Sequence, residues 1–108
     1  MSLYRLYPRA DKQQDKIWQY TFDLWSVEQA DKYIHGLHKH FEKLASKEVP
    51  WRKLPQTKLP LSKDAYFSRY QKHFIFFREL PNHNIGIISI LHEVMDIPAR
   101  LRIDLNKI

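Results

Sequence analysis

The sequence predicts an α+β domain of two layers, in which a helical hairpin packs on a small, mostly antiparallel sheet in the order β-α-α-β-β-β. Three observations predict it. Apolar residues recur at helical spacing between residues 9 and 44, and from residue 65 the period changes to that of strands. The chain has 108 residues and 44% apolar content, enough for one core and one domain, residues 1–108. A helical hairpin has to bury its stripe on one sheet face, and the other face is then expected to lie open for a partner.

Residues 2–7 place Leu3 and Leu6 among tyrosines, as a first strand would. Pro8 breaks that strand and suits the first turn of a helix. The spacing predicts the helix over 9–25, with Ile17, Tyr20, Thr21 and Leu24 on one face. Trp18, Phe22 and Trp25 form a second aromatic line, so cover on more than one side is expected, and with it burial of Trp18 and Trp25. Asp11 and Asp15 favour the N-terminal dipole end. Ser26-Val27-Glu28-Gln29 reads as a capping box opening the next helix. Its stripe, Ala30, Tyr33, Ile34, Leu37, Phe41 and Leu44, is the clearest periodicity in the chain, and Lys32, Lys39, Lys43 and Lys47 lie off it.

Residues 48–64 hold Pro50, Pro55 and Pro60 and read as a long, lysine-rich loop without regular structure, the kind that often carries function. Trp51 in this loop is the tryptophan to keep as a contact candidate. Strands follow at Tyr66–Tyr70, His73–Leu80 and Asn84–Leu91, with a turn at Pro81-Asn82-His83-Asn84. Gly86 inside a strand signals close approach of a neighbour. From His92 to Arg100 a short helical or irregular tail is expected, broken at Pro98.

The composition excludes several classes of function. There is no cysteine, hence no disulfide framework, no thiolate zinc site and no cysteine nucleophile. The longest apolar run is four residues, Phe74 to Phe77, against the roughly 20 a membrane span needs. The polar start MSLYRLYPRAD argues against a signal peptide, and no membrane association and a cytoplasmic location are expected. His35 and His38 share a helix face near His40, but a metal would need a further ligand and fixed outer partners. They read as a polar helix face, with neither metal nor cofactor implied. The net charge is +6, and residues 32–72 alone hold ten Lys/Arg against three Asp/Glu. Such a stretch fits a polyanion or an acidic protein.

Four segments resemble the RelE/ParE superfamily of toxins from type II toxin–antitoxin modules, in its ParE, or plasmid-stabilisation, branch. They are Tyr7-Pro8-Arg9-Ala10 with Asp15 to Tyr20, Trp25 with Glu28-Gln29-Ala30 and Tyr33, His73 to Arg78, and Ile90-Leu91-His92-Glu93-Val94-Met95-Asp96. Together they span about residues 3–101, and the last is the most specific. The resemblance implies a RelE/ParE-like fold and a toxin that arrests growth by poisoning DNA gyrase. It implies neutralisation by a cognate antitoxin with an acidic C-terminal segment, in a hetero-oligomer of the two. The RelE branch implies the alternative target, the ribosome, where such toxins cleave mRNA. A non-toxic adaptor on the same fold is the third reading.

Cleaving RNA needs a base, an acid and cations at the phosphorane. Arg69 and Arg78 supply cations, and His92 is the one titrating group placed to act. The chain end, Leu101 to Ile108, holds neither the Tyr nor the His that RelE-type enzymes tend to keep there. A gyrase poison needs no catalytic residue, so none is assigned; His92, Arg69 and Arg78 would be the set if the chain were a nuclease. The expected surface for target or antitoxin is Arg52, Lys53, Lys58, Arg69, Arg78, His92, Met95 and Arg100.

Overall fold

Pro8 ends β1 (Tyr4–Leu6) and occupies the first turn of α1 (Pro8–Leu24), where its missing N–H leaves no bond unmade. The computed structural model describes residues 4–54 and 65–105; the expectations for Leu3, Pro55, Lys58, Pro60 and Lys63 fall outside the described residues. A tight junction at Trp25-Ser26 leads into α2 (Val27–Ala45), with the Ser26 hydroxyl accepting from the Gln29 N–H at 3.1 Å, the first half of the predicted exchange. Then come β2 (Arg52–Lys53), β3 (Tyr66–Tyr70), β4 (His73–Glu79), a 3₁₀ turn (Pro81–His83), β5 (Ile85–His92) and α3 (Ile97–Leu105). The sheet order is β1-β5-β4-β3-β2, with β1 parallel to β5 and the remaining pairs antiparallel. The α+β architecture with a helical hairpin on a mostly antiparallel sheet is therefore as the sequence predicts.

Three details differ. The segment 48–54 is not without regular structure, because Arg52 and Lys53 pair with Phe67 and Tyr66 as a short edge strand. Pro98 does not break the tail. It sits in the first turn of α3, where amide groups have no helical partner anyway, and the Asp96 carbonyl receives the Arg100 N–H at 3.1 Å. The second sheet face is not left open, since Leu101 is buried against Phe76 and Leu91, with Ile97, Leu105, Phe67 and Phe74 around them.

The hairpin face holds the main core, in which Leu37, Phe41 and Leu44 meet Ile75, Phe77, Ile85, Ile87 and Ile90. The predicted α2 stripe is the one that packs. The face of α1 is turned from its predicted position. Ala10 and Ile17 join the core, while Tyr20 and Leu24 are 63% and 57% exposed. The cause is that two polar residues face inward. Gln13 Oε1 accepts the Ile90 N–H at 2.7 Å, and Gln14 Oε1 bonds the His38 ring. Gly86 meets its expectation: a Cβ there would lie 3.0 Å from the Tyr7 ring and 3.3 Å from Leu80.

The two faces are joined by one buried carboxylate. Asp104 on α3 is fully buried and accepts from Arg9 Nε at 3.1 Å, Gln13 Nε2 at 2.7 Å and Ser89 Oγ at 2.5 Å. Its partners come from α1 and β5, so α3 is held at one depth and register. Asp104→Ala strands these donors and is expected to lower stability by about 2–4 kcal/mol, with Asp104→Asn, which keeps an acceptor, losing less. Urea unfolding checks this; a loss under about 0.5 kcal/mol for the alanine variant would contradict the role given to the carboxylate.

Candidate functional site

The sheet ends in a row of polar rings. Tyr70, His73 and His92 are directly opposite one another on β3, β4 and β5, facing the hairpin. The His73 and His92 rings meet edge-on at 5.1 Å. Tyr33 of α2 reaches down to this row, its hydroxyl 2.6 Å from His73 Nδ1. Burial raises the Tyr33 pKa to about 12 and, with His92 beside it, lowers that of His73 to about 4. The proton therefore stays on Tyr33, whose O–H donates to a neutral His73. His92 Nδ1 accepts the Val94 N–H at 3.2 Å, and its carbonyl accepts from Met95 N–H at 3.0 Å. His92 thus shapes the turn between β5 and α3.

Two further histidines tie the hairpin to the sheet. His38 Nδ1 lies 2.6 Å from the Tyr4 hydroxyl, and His40 Nε2 lies 2.9 Å from Ser68 Oγ. The polar helix face expected for His35, His38 and His40 is therefore kept by His35 alone, which is exposed; the other two point at β1 and β3. Their positions one residue off the apolar stripe gave the signal. Among the described residues no group of three His, Cys, Asp or Glu side chains is placed to hold a metal ion.

The expected site residues scatter over both faces. Arg69 is opposite Phe74 on the α3 side; it pairs with Glu93 at 2.6 Å and lies over the Phe74 ring. Arg78, opposite Gly86, shares that face but lies five residues along β4 from the His73–His92 row, roughly 17 Å at strand rise. His92 faces the hairpin. The set His92, Arg69 and Arg78 is thus not brought together. Arg52 is opposite Phe67 on the α3 side and Lys53 opposite Tyr66 on the hairpin side. Met95 is 44% exposed, and Arg100 is exposed on α3. Lys58 lies outside the described residues.

The tryptophans also change places. Trp51 is a packing residue rather than a contact: its Nε1 donates to the Leu44 carbonyl at 2.8 Å, and its ring meets Tyr66 and Phe77. Trp25 is 75% exposed, and Trp18 bonds Asp31 across the hairpin and stacks on Phe22. With Tyr20, Phe22, Leu24 and Val27 also exposed, the hairpin tip presents an uncovered apolar run. The second aromatic line of α1 lies toward solvent because, among the described residues, no further layer covers the hairpin.

His38, His40 and His73 all have pKa values lowered by burial. Each binds a proton more readily in the unfolded chain, near pH 6.5, than in the fold. Their contribution is complete above pH 6.5 and falls as the pH drops toward 4. Urea midpoints measured from pH 7 to 5 are expected to decline, and His73→Gln, which keeps an acceptor for Tyr33, is expected to decline less steeply. Parallel curves for the two proteins would contradict the assignment.

Comparison with known proteins agrees with this architecture. Residues 4–97 match the family model described as the ParE toxin of the type II toxin–antitoxin system, parDE. Toxin ParE1 of Caulobacter vibrioides is 34% identical over 101 residues, covering 94% of this chain and 99% of the relative. Toxin ParE1 of Mycobacterium tuberculosis strain H37Rv is 28% identical over 100 residues, covering 93% and 98%. Toxin ParE of Escherichia coli is 28% identical over 101 residues, covering 94% of each. With the family model matched over nearly the whole described fold, the chain belongs to the ParE toxin family of type II toxin–antitoxin systems.

Proposed function

We propose that the protein arrests growth by poisoning DNA gyrase in the cytoplasm and is held inactive by a cognate antitoxin. The observation that supports this reading, beyond the family, is the dispersal of the set His92, Arg69 and Arg78 expected of a nuclease. His92 is engaged by the Val94 amide and faces the hairpin, while Arg69 and Arg78 lie on the other face. A ribonuclease needs its base and cations around one phosphate. A gyrase poison needs a surface that binds one conformation of its target better than another, because the enzyme's own cleavage chemistry does the damage.

On this reading the target surface includes Met95 and Arg100, exposed on and before α3, with Arg69, Arg78 and His92 near or beneath it and Arg52, Lys53 and Lys58 secondary. The antitoxin supplies two things the monomer lacks. Its apolar side chains cover the exposed run Tyr20 to Val27, a patch that otherwise invites association. Its acidic C-terminal segment, ordered only on binding, pairs with basic side chains.

Purified gyrase and relaxed plasmid test the proposal. The protein is expected to suppress supercoiling and to trap cleaved DNA, and added antitoxin to reverse both. Met95→Ala with Arg100→Ala is expected to weaken inhibition at least several-fold while leaving the urea midpoint unchanged. Unchanged supercoiling with no trapped cleavage at excess protein would overturn it.

A further inference from the structure

The fold brings together basic side chains that lie far apart in the chain. The lysines of α2 belong to a balanced unit: α1 and α2 together hold six Lys/Arg and six Asp/Glu. Of the twelve Lys/Arg outside that unit, five arginines gather on the α3 side of the sheet. Arg5 and Arg78 are opposite Gly86 on β1 and β4. Alternation puts both on the face away from Tyr4, Leu6 and Phe77, which pack in the hairpin core. Arg52 is on the far edge strand, beside Phe67 of the α3-side cluster. Arg100 and Arg102 are exposed on α3, whose Leu101 and Asp104 point inward. Among the described residues, none of these five guanidinium groups has a hydrogen-bond or ion-pair partner.

We infer that this arginine-ringed face binds the backbone of duplex DNA without regard to sequence, an activity of the protein by itself that goes beyond the gyrase reading and does not rest on it. Arg5 and Arg52 stand on the first and last of five strands, separated across the sheet by four interstrand spacings, about 19 Å. A duplex presents roughly one charge per 1.7 Å of axis, so such a face meets phosphates across its full width. Arginine suits them because its planar fork pairs two oxygens at once.

The same face is poorly suited to other polyanions. Single strands need exposed rings on which bases stack, and here Phe67, Phe74 and Phe76 are packed against α3. An acidic segment that orders on binding needs apolar anchors to offset that ordering. The largest exposed apolar run, Tyr20 to Val27, is on the hairpin tip instead. Among the described residues around the arginines, only Ile103 and the turn residues Val94 and Met95 are exposed and apolar.

Fluorescence anisotropy of a labelled 20-base-pair duplex tests this with no gyrase present. Binding is expected at low salt, with log K falling against log salt at a slope of about −3 to −5. Arg5→Ala, Arg78→Ala and Arg100→Ala are each expected to weaken binding about 3- to 10-fold and to flatten the slope by about 0.9. Lys39→Ala with Lys43→Ala on the hairpin should leave both unchanged. Absence of binding at low salt, equal loss from the hairpin variant, or preference for a glutamate-rich peptide or single-stranded RNA over the duplex would each overturn the inference. Gyrase inhibition that persists without DNA binding would leave the gyrase reading standing and remove this one.

Discussion

A carboxylate with no access to water has to find its donors inside the protein, and Asp104 finds them on three different side chains. This constraint organises the molecule. β5 is buried along all but its last residue, so it needs a cover on each face. The helical hairpin supplies one, through a broad apolar contact and polar bonds at its edges. The nine-residue α3 is too short to hold itself in place by helix propensity, and it is positioned by Asp104 together with Leu101. Gln13 completes the arrangement by donating to Asp104 and accepting from Ile90 N–H. It satisfies a strand amide beyond the reach of β1, which pairs only with Ile85 to Ile87.

Periodicity reveals apolar contacts and is blind to contacts of this kind. The α2 stripe was legible because Ala30, Leu37, Phe41 and Leu44 bury side chains that are apolar all through. The strands from Tyr66 onward and the close approach at Gly86 were legible for similar local reasons. The α1 face was not, because Gln13 and Gln14 are inward residues with a polar signature. Asp104, lying between Ile103 and Leu105, looks like any surface acid until Ser89 and Arg9 are seen beside it. Trp51 was misplaced for the complementary reason. A proline-rich stretch suggests an exposed ring, but the indole docks on the C-terminal end of α2, adding a second donor to the Leu44 carbonyl beside the Lys47 N–H.

The candidate site was legible in kind but not in place. Basic side chains do dominate one region, yet chain order merged the lysines of α2 with arginines that the fold carries to the opposite side. Each hairpin helix balances three Lys/Arg with three Asp/Glu. Arginines from β1, β2, β4 and α3, spread through the sequence from position 5 to 102, converge on the other face. The resulting molecule has two different ends of use: an apolar, charge-balanced hairpin tip and an arginine-rich α3 side. On the proposed reading, that division gives one surface for capture by the antitoxin and another for the target.

Membership of the ParE family gives the central claim its most direct test, controlled expression in a bacterial host. Induction without antitoxin is expected to halt growth, and co-expression of the antitoxin to restore it. Unimpaired growth, with the folded protein verified in the cells, would contradict the account.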